Sequence, residues 1–291
     1  MKKICVIGSI NMDLVTVTNT RPNPGETLIG ESFQLLPGGK GANQAVALAR
    51  LDANTTMLGK VGNDIYGEDL LETLKLENIN TEYIQDTSET STGVATITVS
   101  NGENSIIVIP GANGKVDESY INSVEEIITQ SDFVVTQLEI PLASVCKIAE
   151  ICKSNSIPFL LNPAPSMKLP KKLIDNTTYI TPNEHEVVEV FGETDIDSLL
   201  EKYPNKLIVT EGEKGARFND GSSNIRIPAI EVEAVDTTGA GDTFNGALAY
   251  SLANNKSIKE AIEFAVIAGG LAVTKLGAQS GIPNLSEINN F

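Results

Sequence analysis

A carboxylate stands directly after a Gly-Ala-Gly run in the segment Asp236–Gly246, which reads Asp-Thr-Thr-Gly-Ala-Gly-Asp-Thr-Phe-Asn-Gly. Apolar residues at helical spacing follow, so we predict that a helix begins near Gly239. The first N–H groups of a helix are unpaired and stabilise negative charge. Asp242 could therefore accept a hydroxyl proton while these amides stabilise a transferred phosphoryl group. Alternatively, Asp242 only stabilises the helix N-terminus and the glycines only form a turn.

A second glycine-rich turn precedes a predicted helix at residues 38–45, Gly-Gly-Lys-Gly-Ala-Asn-Gln-Ala. It is not a Walker A loop, because Gly41 follows Lys40 where that motif has Ser or Thr. The chain also has no GxGxxG motif, so dinucleotide binding lacks its main sequence support. Gly39 would let another molecule approach the backbone, and Asn43 would offer it an amide. Taken alone, the segment could also be a simple turn and helix cap.

Asn11 and Asp13 follow the first apolar run of the chain. In an extended stretch, side chains two positions apart point the same way. An Asn/Asp pair offers donors and acceptors close together, which suits the hydroxyl groups of a sugar. An Asx turn at the end of the strand is the alternative interpretation.

Short apolar runs alternate with amphipathic stretches along most of the chain. This alternation predicts an α/β fold with a mostly parallel central sheet and helices on both faces. The predicted buried strands are Ile4–Ile10, Thr56–Val61, Phe133–Leu138, Pro158–Leu161, Tyr179–Thr181 and Leu207–Thr210. Polar residues follow several of these runs, and ligands of open α/β sheets bind at the carboxyl ends of the strands. The sequence therefore predicts a binding site at that edge.

Residues 14–37 and 92–109 have period-two patterns with turn residues, including Asn101-Gly102. We predict that they form antiparallel strands of a small β lid, separate from the main sheet. The predicted domains are a large α/β domain of residues 1–14, 38–91 and 110–291, and a lid of residues 15–37 and 92–109.

The charge balance excludes several classes of partner. The chain has 291 residues, with 21 Lys and Arg against 38 Asp and Glu, for a net charge of −17. Without a basic face, we predict no nucleic-acid partner and no membrane partner. Three cysteines without a CxxC pair argue against a disulfide framework and indicate a reducing, cytoplasmic location. The single histidine, His185, makes a nucleophile–histidine hydrolase implausible.

The motifs together resemble the ribokinase branch of the PfkB sugar-kinase family over essentially the whole chain. The two glycine-rich segments resemble its two signatures. Four further segments match in order: Gly8–Asp13, Asn183–Glu186, Thr210–Gly212 and Gly277–Gln279. The resemblance implies a ribokinase-like fold with a β lid, and ATP-dependent phosphorylation of D-ribose at O5.

The resemblance also implies residue roles. Asp242 resembles the catalytic base, and Gly239, Ala240 and Gly241 resemble the anion hole. The implied ribose ligands are Asn11, Asp13, Gly39, Asn43, Glu139 and Asp242. The implied ATP site comprises Asn183, Thr210, Glu211, Gly212, Glu213, Lys214, Gly215 and Gly241.

Two metal ions are implied beside ATP. Glu186 resembles a Mg²⁺ ligand that acts through water. An activating K⁺ would be held by two loops, mainly through backbone oxygens of Asp236, Thr238, Ala272, Lys275, Gly277 and Gly281. One departure from the family pattern falls in the second loop, where the hydroxyl of Ser280 stands one place early, before Gly281. The lid is implied to form the contact of a homodimer.

Two alternatives stay open at this point. A related kinase could act on deoxyribose, another pentose, fructose or a nucleoside, although Asp13 uses vicinal hydroxyls best. A sugar-binding regulator could have kept the fold and lost catalysis.

Overall fold

The computed structural model describes residues 1–101 and 103–291. We number strands and helices separately in chain order. The strands are β1 (Lys3–Ile7), β2 (Asn11–Val17), β3 (Ser32–Gly38), β4 (Asn54–Gly62), β5 (Ile84–Thr87), β6 (Gly93–Ser100), β7 (Glu103–Ile109), β8 (Phe133–Thr136), β9 (Phe159–Leu161), β10 (Tyr179–Ile180), β11 (Ile208–Thr210), β12 (Ala216–Asn219) and β13 (Asn224–Ile227). The helices are α1 (Lys40–Arg50), α2 (Ile65–Leu76), α3 (Glu118–Ser123), α4 (Glu125–Thr129), α5 (Leu142–Ser154), α6 (Lys171–Asn176), α7 (Glu184–Phe191), α8 (Ile196–Lys202), α9 (Ala240–Ala253), α10 (Ile258–Ala272), α11 (Ala278–Gly281) and α12 (Leu285–Asn289).

Six parallel strands form the central sheet, in the order β10-β9-β8-β1-β4-β5. Successive side chains of β1 point to opposite faces of the sheet. Ile4 and Val6 pack into the core beneath α1, α9 and α10, whereas Cys5 and Ile7 pack into the core beneath α5. A sheet buried on both faces confirms the predicted α/β architecture.

Strand β11 extends this sheet through isolated parallel bridges, and the antiparallel strands β12 and β13 follow it. The six predicted strands are all present, although three of them, β1, β8 and β10, end one to three residues earlier than expected. The first run ends at Ile7, since the chain then turns toward β2. No sequence pattern predicts β5, β12 or β13. These strands are four residues long and carry polar residues, so they lack an apolar run.

The predicted small β sheet is present as four strands in the order β3-β2-β6-β7. Its outer pairs are antiparallel as expected, but the central pair β2–β6 is parallel. Strand β2 begins at Asn11, so the sheet starts before the domain boundary predicted at residues 14 and 15. Of the predicted Asn101-Gly102 turn, Gly102 lies outside the described residues, and Asn101 has the positive φ of 52° that such turns use.

Two of the three cysteines, Cys5 and Cys152, are buried in the core, while Cys146 is half-buried. None of the three is in a disulfide. Within residues 1–101 and 103–291, no helix combines the length and the apolar character that crossing a membrane would require.

Candidate active site

The polar residues predicted at the strand ends meet along one edge of the central sheet. Three connected spaces lie there. A cavity of about 650 Å³ lies beneath the four-stranded sheet, a cleft of about 590 Å³ lies beside β11 and α9, and a space of about 170 Å³ lies between them. We call them the lid cavity, the outer cleft and the junction. The arrangement agrees with the rule that ligands bind at the carboxyl ends of parallel strands.

The lid cavity is lined by every residue predicted to bind the sugar. These are Asn11, Asp13, Gly39, Asn43, Glu139 and Asp242. Alternate side chains of β6 and β7 point into the cavity and form its apolar roof: Ala95, Ile97, Ile106 and Val108. A polar floor under an apolar roof suits a small, hydroxyl-rich ligand.

Gly39 allows α1 to begin against the segment that joins β1 to β2. Its φ of 90° is a conformation that favours glycine, and a Cβ there would lie 2.7 Å from the backbone nitrogen of Asn11. Two other contacts fix the segment. Ala42 donates its N–H to the carbonyl of Ser9 at 2.9 Å, and Asn113 donates Nδ2 to Oδ1 of Asn11 at 2.7 Å. The first glycine-rich segment therefore positions the polar pair at the start of β2.

The second glycine-rich segment begins α9, as predicted. Gly239 is the N-cap residue with a φ of 79°, and a Cβ there would lie 2.9 Å from Cα of Ala278. No side chain caps this helix end, and the N-cap and first residues line the spaces. Gly239 and Gly241 border the junction, where their N–H groups can bind an anion. Ala240 lines the outer cleft, and its N–H donates to the carbonyl of Thr237 at 3.3 Å.

Asp242 lies in the first turn of α9 and is 7% exposed. Each carboxylate oxygen accepts a hydrogen bond from one side-chain amide. Asn43 donates Nδ2 to Oδ2 at 3.0 Å, and Gln44 donates Nε2 to Oδ1 at 3.0 Å. A carboxylate oxygen accepts more than one hydrogen bond, so both oxygens can still accept a ligand hydroxyl.

Asp13 is a half-buried carboxyl group in the lid cavity. Burial, together with the negative charges of Glu139 and Asp242, raises its pKa to about 7, while Lys40 opposes the rise. The side chain therefore changes charge near neutral pH.

Lys40, at the first position of α1, lies among four carboxylates. Burial disfavours its charged form, but Asp242, Glu139, Glu186 and Asp13 outweigh that effect and raise its pKa. Lys40 is therefore a half-buried cation that lines both the lid cavity and the junction. The sequence analysis assigned it no role.

Glu139 is held at the start of α1. Its Oε2 accepts the hydroxyl of Ser9 at 2.5 Å and the backbone N–H of Lys40 at 3.2 Å. A carboxylate at a helix N-terminus is favourably placed by the helix dipole. Sequence reasoning missed Ser9, whose role depends on the turn between β1 and β2.

The outer cleft has a different character from the lid cavity. Six of the residues predicted to bind ATP line it: Asn183, Thr210, Gly212, Glu213, Gly215 and Gly241. Apolar residues complete it, among them Ile230, Val232, Val266 and Val273. An apolar slot beside exposed backbone suits a flat heterocycle attached to a charged group.

Two residues of the predicted ATP set do not line the cleft. Glu211 is buried and pairs with Arg217 at 2.7 Å and Arg226 at 2.8 Å. Lys214 pairs with Glu184 at 3.3 Å on the surface. The Glu211 side chain therefore connects β12 and β13 to the end of β11 through ion pairs, and it does not face the cleft.

Glu186 lines the junction together with Asn183. The two form a capping box on α7, in which Glu186 accepts the Asn183 N–H at 2.8 Å. Burial raises the pKa of Glu186, while the Asn183 N–H and Lys40 oppose the rise. One carboxylate beside a phosphate-sized space fits Mg²⁺, which keeps several waters and binds through few protein ligands. Among the described residues, no three His, Cys, Asp or Glu side chains form a metal cluster.

The two loops predicted to hold K⁺ are adjacent. Asp236 joins them, since it accepts the N–H and hydroxyl of Thr238 and, on its other oxygen, the N–H of Gly277 at 2.8 Å. These hydrogen bonds lower the pKa of Asp236 although burial opposes the change. A Cβ on Gly281 would lie 2.2 Å from the carbonyl oxygen of Ala272. The Ala272 carbonyl therefore lies against Gly281, and backbone carbonyls are the kind of donor that binds K⁺ elsewhere.

Two side chains of these loops point elsewhere. Lys275 pairs with Glu287 at 3.2 Å, so only its backbone could serve a cation. The Ser280 hydroxyl donates to the carbonyl of Leu276 in its own loop. The hydroxyl of Ser280 therefore forms a hydrogen bond within its own loop.

The profile of the pfkB family carbohydrate kinases matches residues 1–285 of the chain. A ribokinase of Bacillus subtilis is 48% identical over 291 residues, covering 100% of this chain and 99% of the relative. A ribokinase of Lactococcus lactis is 50% identical over 289 residues, covering 99% and 96%. A deoxyribokinase of Salmonella typhi is 38% identical over 300 residues, covering 99% and 98%.

The fold also matches solved structures. The structure of an Arabidopsis thaliana ribokinase complexed with ribose and ATP superposes with a TM-score of 0.91 at 30% identity, covering 99% of this chain and 98% of the other. The similarity therefore extends over the four-stranded sheet and the central sheet together.

Proposed function

Because the chain belongs to the pfkB family of carbohydrate kinases, we propose that it transfers the γ-phosphoryl group of ATP to O5 of D-ribose. One observation carries this proposal: the first turn of α9 borders all three spaces. Gly239 and Asp242 line the lid cavity and the junction, and Gly241 lines the outer cleft and the junction. Ribose in the lid cavity and ATP in the outer cleft would meet at this helix end.

The proposed reaction needs little covalent chemistry from the protein. O5 of ribose attacks the γ-phosphorus, the bond to the β-phosphate oxygen breaks with its electron pair, and ADP leaves. Asp242 accepts the O5 proton, and the amides of Gly239, Ala240 and Gly241 stabilise the charge on the phosphoryl group. Positioning and electrostatics supply the catalysis, as is usual for phosphoryl transfer.

The sugar would be bound by the polar floor of the lid cavity. Asn11 and Asp13 lie on one face of β2, where a carboxylate can accept two vicinal hydroxyl groups. Gly39 leaves space for the sugar, and Asn43 and Glu139 complete the floor. The nucleotide would occupy the outer cleft along Asn183, Thr210 and the loop from Gly212 to Gly215.

Two cations complete the proposal. Glu186 would hold Mg²⁺ through water, and the Asp236 and Gly277 loops would hold K⁺. These ions would neutralise phosphate charge and stabilise the loop beside α9. The chain's own contribution is the orientation of the loops. Asp236 accepts two hydrogen bonds from Thr238 in its own loop and one from Gly277 in the other loop.

An assay of ADP release tests the proposal. Purified protein is given MgATP and KCl with D-ribose, 2-deoxyribose, fructose or adenosine, and kcat/KM is compared. We expect the highest kcat/KM with ribose, because 2-deoxyribose offers Asp13 one hydroxyl fewer. A higher value with another acceptor would reassign the substrate within the family. Ribose binding without ADP release from any acceptor would favour a sugar-binding regulator.

The affinity for ribose is expected to depend on pH through Asp13. Sugar hydroxyls donate to the ionised carboxylate, so binding is strong above the pKa of about 7 and weakens as the pH falls through it. We expect the KM for ribose to be about tenfold lower at about pH 8 than at about pH 6. Initial rates at saturating ATP measure this change.

Asp13→Asn serves as the control for the pH experiment. It removes the titration while keeping the size of the side chain, so KM should be higher than in the wild type and nearly independent of pH. A variant that keeps the full wild-type dependence would assign the titration to another group.

We also propose that the chain forms a homodimer through the four-stranded sheet. Alternation along β3 and β7 puts four large apolar side chains on the face turned away from the lid cavity, all of them exposed: Phe33, Leu35, Ile107 and Ile109. Several large apolar side chains exposed on one face often mark a protein–protein contact. A second copy of the same sheet is the proposed cover.

A single charge on this face should separate the subunits. Ile107 is 67% exposed, so Ile107→Glu leaves the core intact and puts a carboxylate into the proposed contact. We expect a dimer for the wild type and a monomer for the variant in sedimentation equilibrium. Leu76→Glu, at a 77% exposed position at the end of α2, is the matched control and should stay dimeric. If the two variants had the same mass, this face would not form the dimer contact.

A further inference from the structure

We propose that Gln44, oriented by Gln137, is a positioning residue that holds Asp242 in place for proton transfer. The inference rests on the proposed function, in which Asp242 accepts the hydroxyl proton. No role for either glutamine emerged from the sequence. Both are fully buried, and their amides form a chain that ends on the Asp242 carboxylate.

The side-chain amide of Gln44 forms three hydrogen bonds. Nε2 donates to Oδ1 of Asp242 at 3.0 Å and to Oδ1 of Asn162 at 3.1 Å. Oε1 accepts Nε2 of Gln137 at 2.6 Å. Asn162 follows β9, and Gln137 follows β8. The amide is therefore anchored on two central strands.

These partners allow only one orientation of the Gln44 amide. If the amide turned over, its oxygen would face two acceptor oxygens and its nitrogen would face a donor. All the groups are buried, so unpaired polar atoms could not be compensated by water. Gln137 keeps its own donor toward Gln44, even though its Oε1 is buried without a partner among the described residues. The N–H groups of Gln44 therefore stay directed at Asp242.

A parallel arrangement holds the other oxygen of Asp242. Asn43 donates to Oδ2, and its own Oδ1 accepts Nε2 of Gln279 at 3.1 Å. Asn43 also lines the lid cavity, so it could bind the sugar directly. Gln44, in contrast, is absent from the described lining of all three spaces. An effect of Gln44 on turnover would therefore pass through Asp242 and not through ligand binding.

The charged groups around Asp242 come from several elements. Lys40 begins α1, Asp13 lies on β2, Glu139 follows β8 and Glu186 lies on α7. None of them donates a hydrogen bond to the Asp242 carboxylate, whose described side-chain donors are Asn43 and Gln44. Two neutral amides thus restrain the carboxylate without supplying a proton that could neutralise it.

Two substitutions at Gln44 test the proposal in the full-length protein. Gln44→Leu removes the donor, and we expect kcat at saturating ribose and ATP to fall about 100-fold, as small misplacements of a reacting group do. The KM for ribose should stay within about threefold, because Gln44 does not face the lid cavity. Isothermal titration with ribose gives the affinity independently of turnover.

Gln44→Glu has a signature that a purely structural role would not produce. The introduced carboxyl can donate to Asp242 only while it is protonated. Activity of this variant should therefore be highest at acidic pH and fall as the pH rises, unlike that of the wild type. Gln137→Leu should lower kcat less than Gln44→Leu, since it frees the Gln44 amide without removing it.

Asn219→Leu is the matched control, since it also removes a buried amide but lies in β12, away from Asp242. It should lose thermal stability and keep its kcat and pH profile. The proposal is overturned if folded Gln44→Leu has a wild-type kcat, or if Gln44→Glu keeps the wild-type pH profile. If Gln44→Leu does not fold, the isosteric Gln44→Glu decides alone. A wild-type protein that binds ribose and releases no ADP would instead overturn the proposed function.

Discussion

Asp242→Asn is expected to lower kcat by about 10³-fold, the middle of the range that general-base catalysis contributes. The substitution keeps the size of the side chain and removes the only group in the first turn of α9 proposed to accept the O5 proton. Because the other residues of the lid cavity remain, the affinity for ribose should change little. Single-turnover ADP formation and calorimetric ribose binding measure the two quantities separately.

Asp195→Asn controls for the general effect of removing a carboxylate. Asp195 caps α8 through the N–H of Ser198, and Asn caps a helix about equally well. This variant should have wild-type kcat and stability. If Asp242→Asn turned over as fast as Asp195→Asn, another group would have to accept the proton.

Gly241→Ala should lower kcat/KM for ATP by about 100-fold, comparable with the loss of an oxyanion-hole donor. An added Cβ at Gly241 would meet no protein atom within 4 Å, but it would project where the outer cleft joins the junction. Alanine also favours a helix over glycine by up to about 1 kcal/mol. The variant should therefore be at least as stable as the wild type while its activity falls.

Gly239→Ala provides the contrast two residues earlier. There the Cβ would press on Ala278, and the φ of 79° strains any side chain, so both stability and activity should fall. Thermal unfolding and initial rates of the two variants distinguish ligand exclusion from distortion of the fold. Wild-type activity in Gly241→Ala would show that the phosphates do not approach this helix end.

Much of the fold follows from local patterns in the sequence. Apolar runs predicted five of the six strands of the central sheet, and also β11 beside it, because strands buried on both faces have a continuous apolar signal. Strand β5 has no such signal, since Gln85 and Asp86 form half of its four residues at the edge of the sheet. The parallel β2–β6 pair was also not predicted, because pairing direction depends on how distant segments enter the sheet.

The candidate site was predicted where it depends on strand ends and glycine-rich turns. The residues that orient it were not. Gln44 and Gln137 are far apart in the chain, and an isolated glutamine has no local pattern that marks it as buried beside a carboxylate. Glu211 shows the reverse case: its position in a matching motif suggested a ligand, but Arg217 and Arg226 use its carboxylate.

The parallel pairing of β2 with β6 has a consequence for the order of folding. The outer pairs β2–β3 and β6–β7 connect near neighbours in the chain, whereas Asn11 is paired with Gly93 across α1, β4, α2 and β5. Closing so long a loop costs entropy that is recovered only when the intervening elements have packed. We therefore expect the residues at the start of β2 that are proposed to bind the sugar to acquire their final surroundings late, after the central sheet has formed.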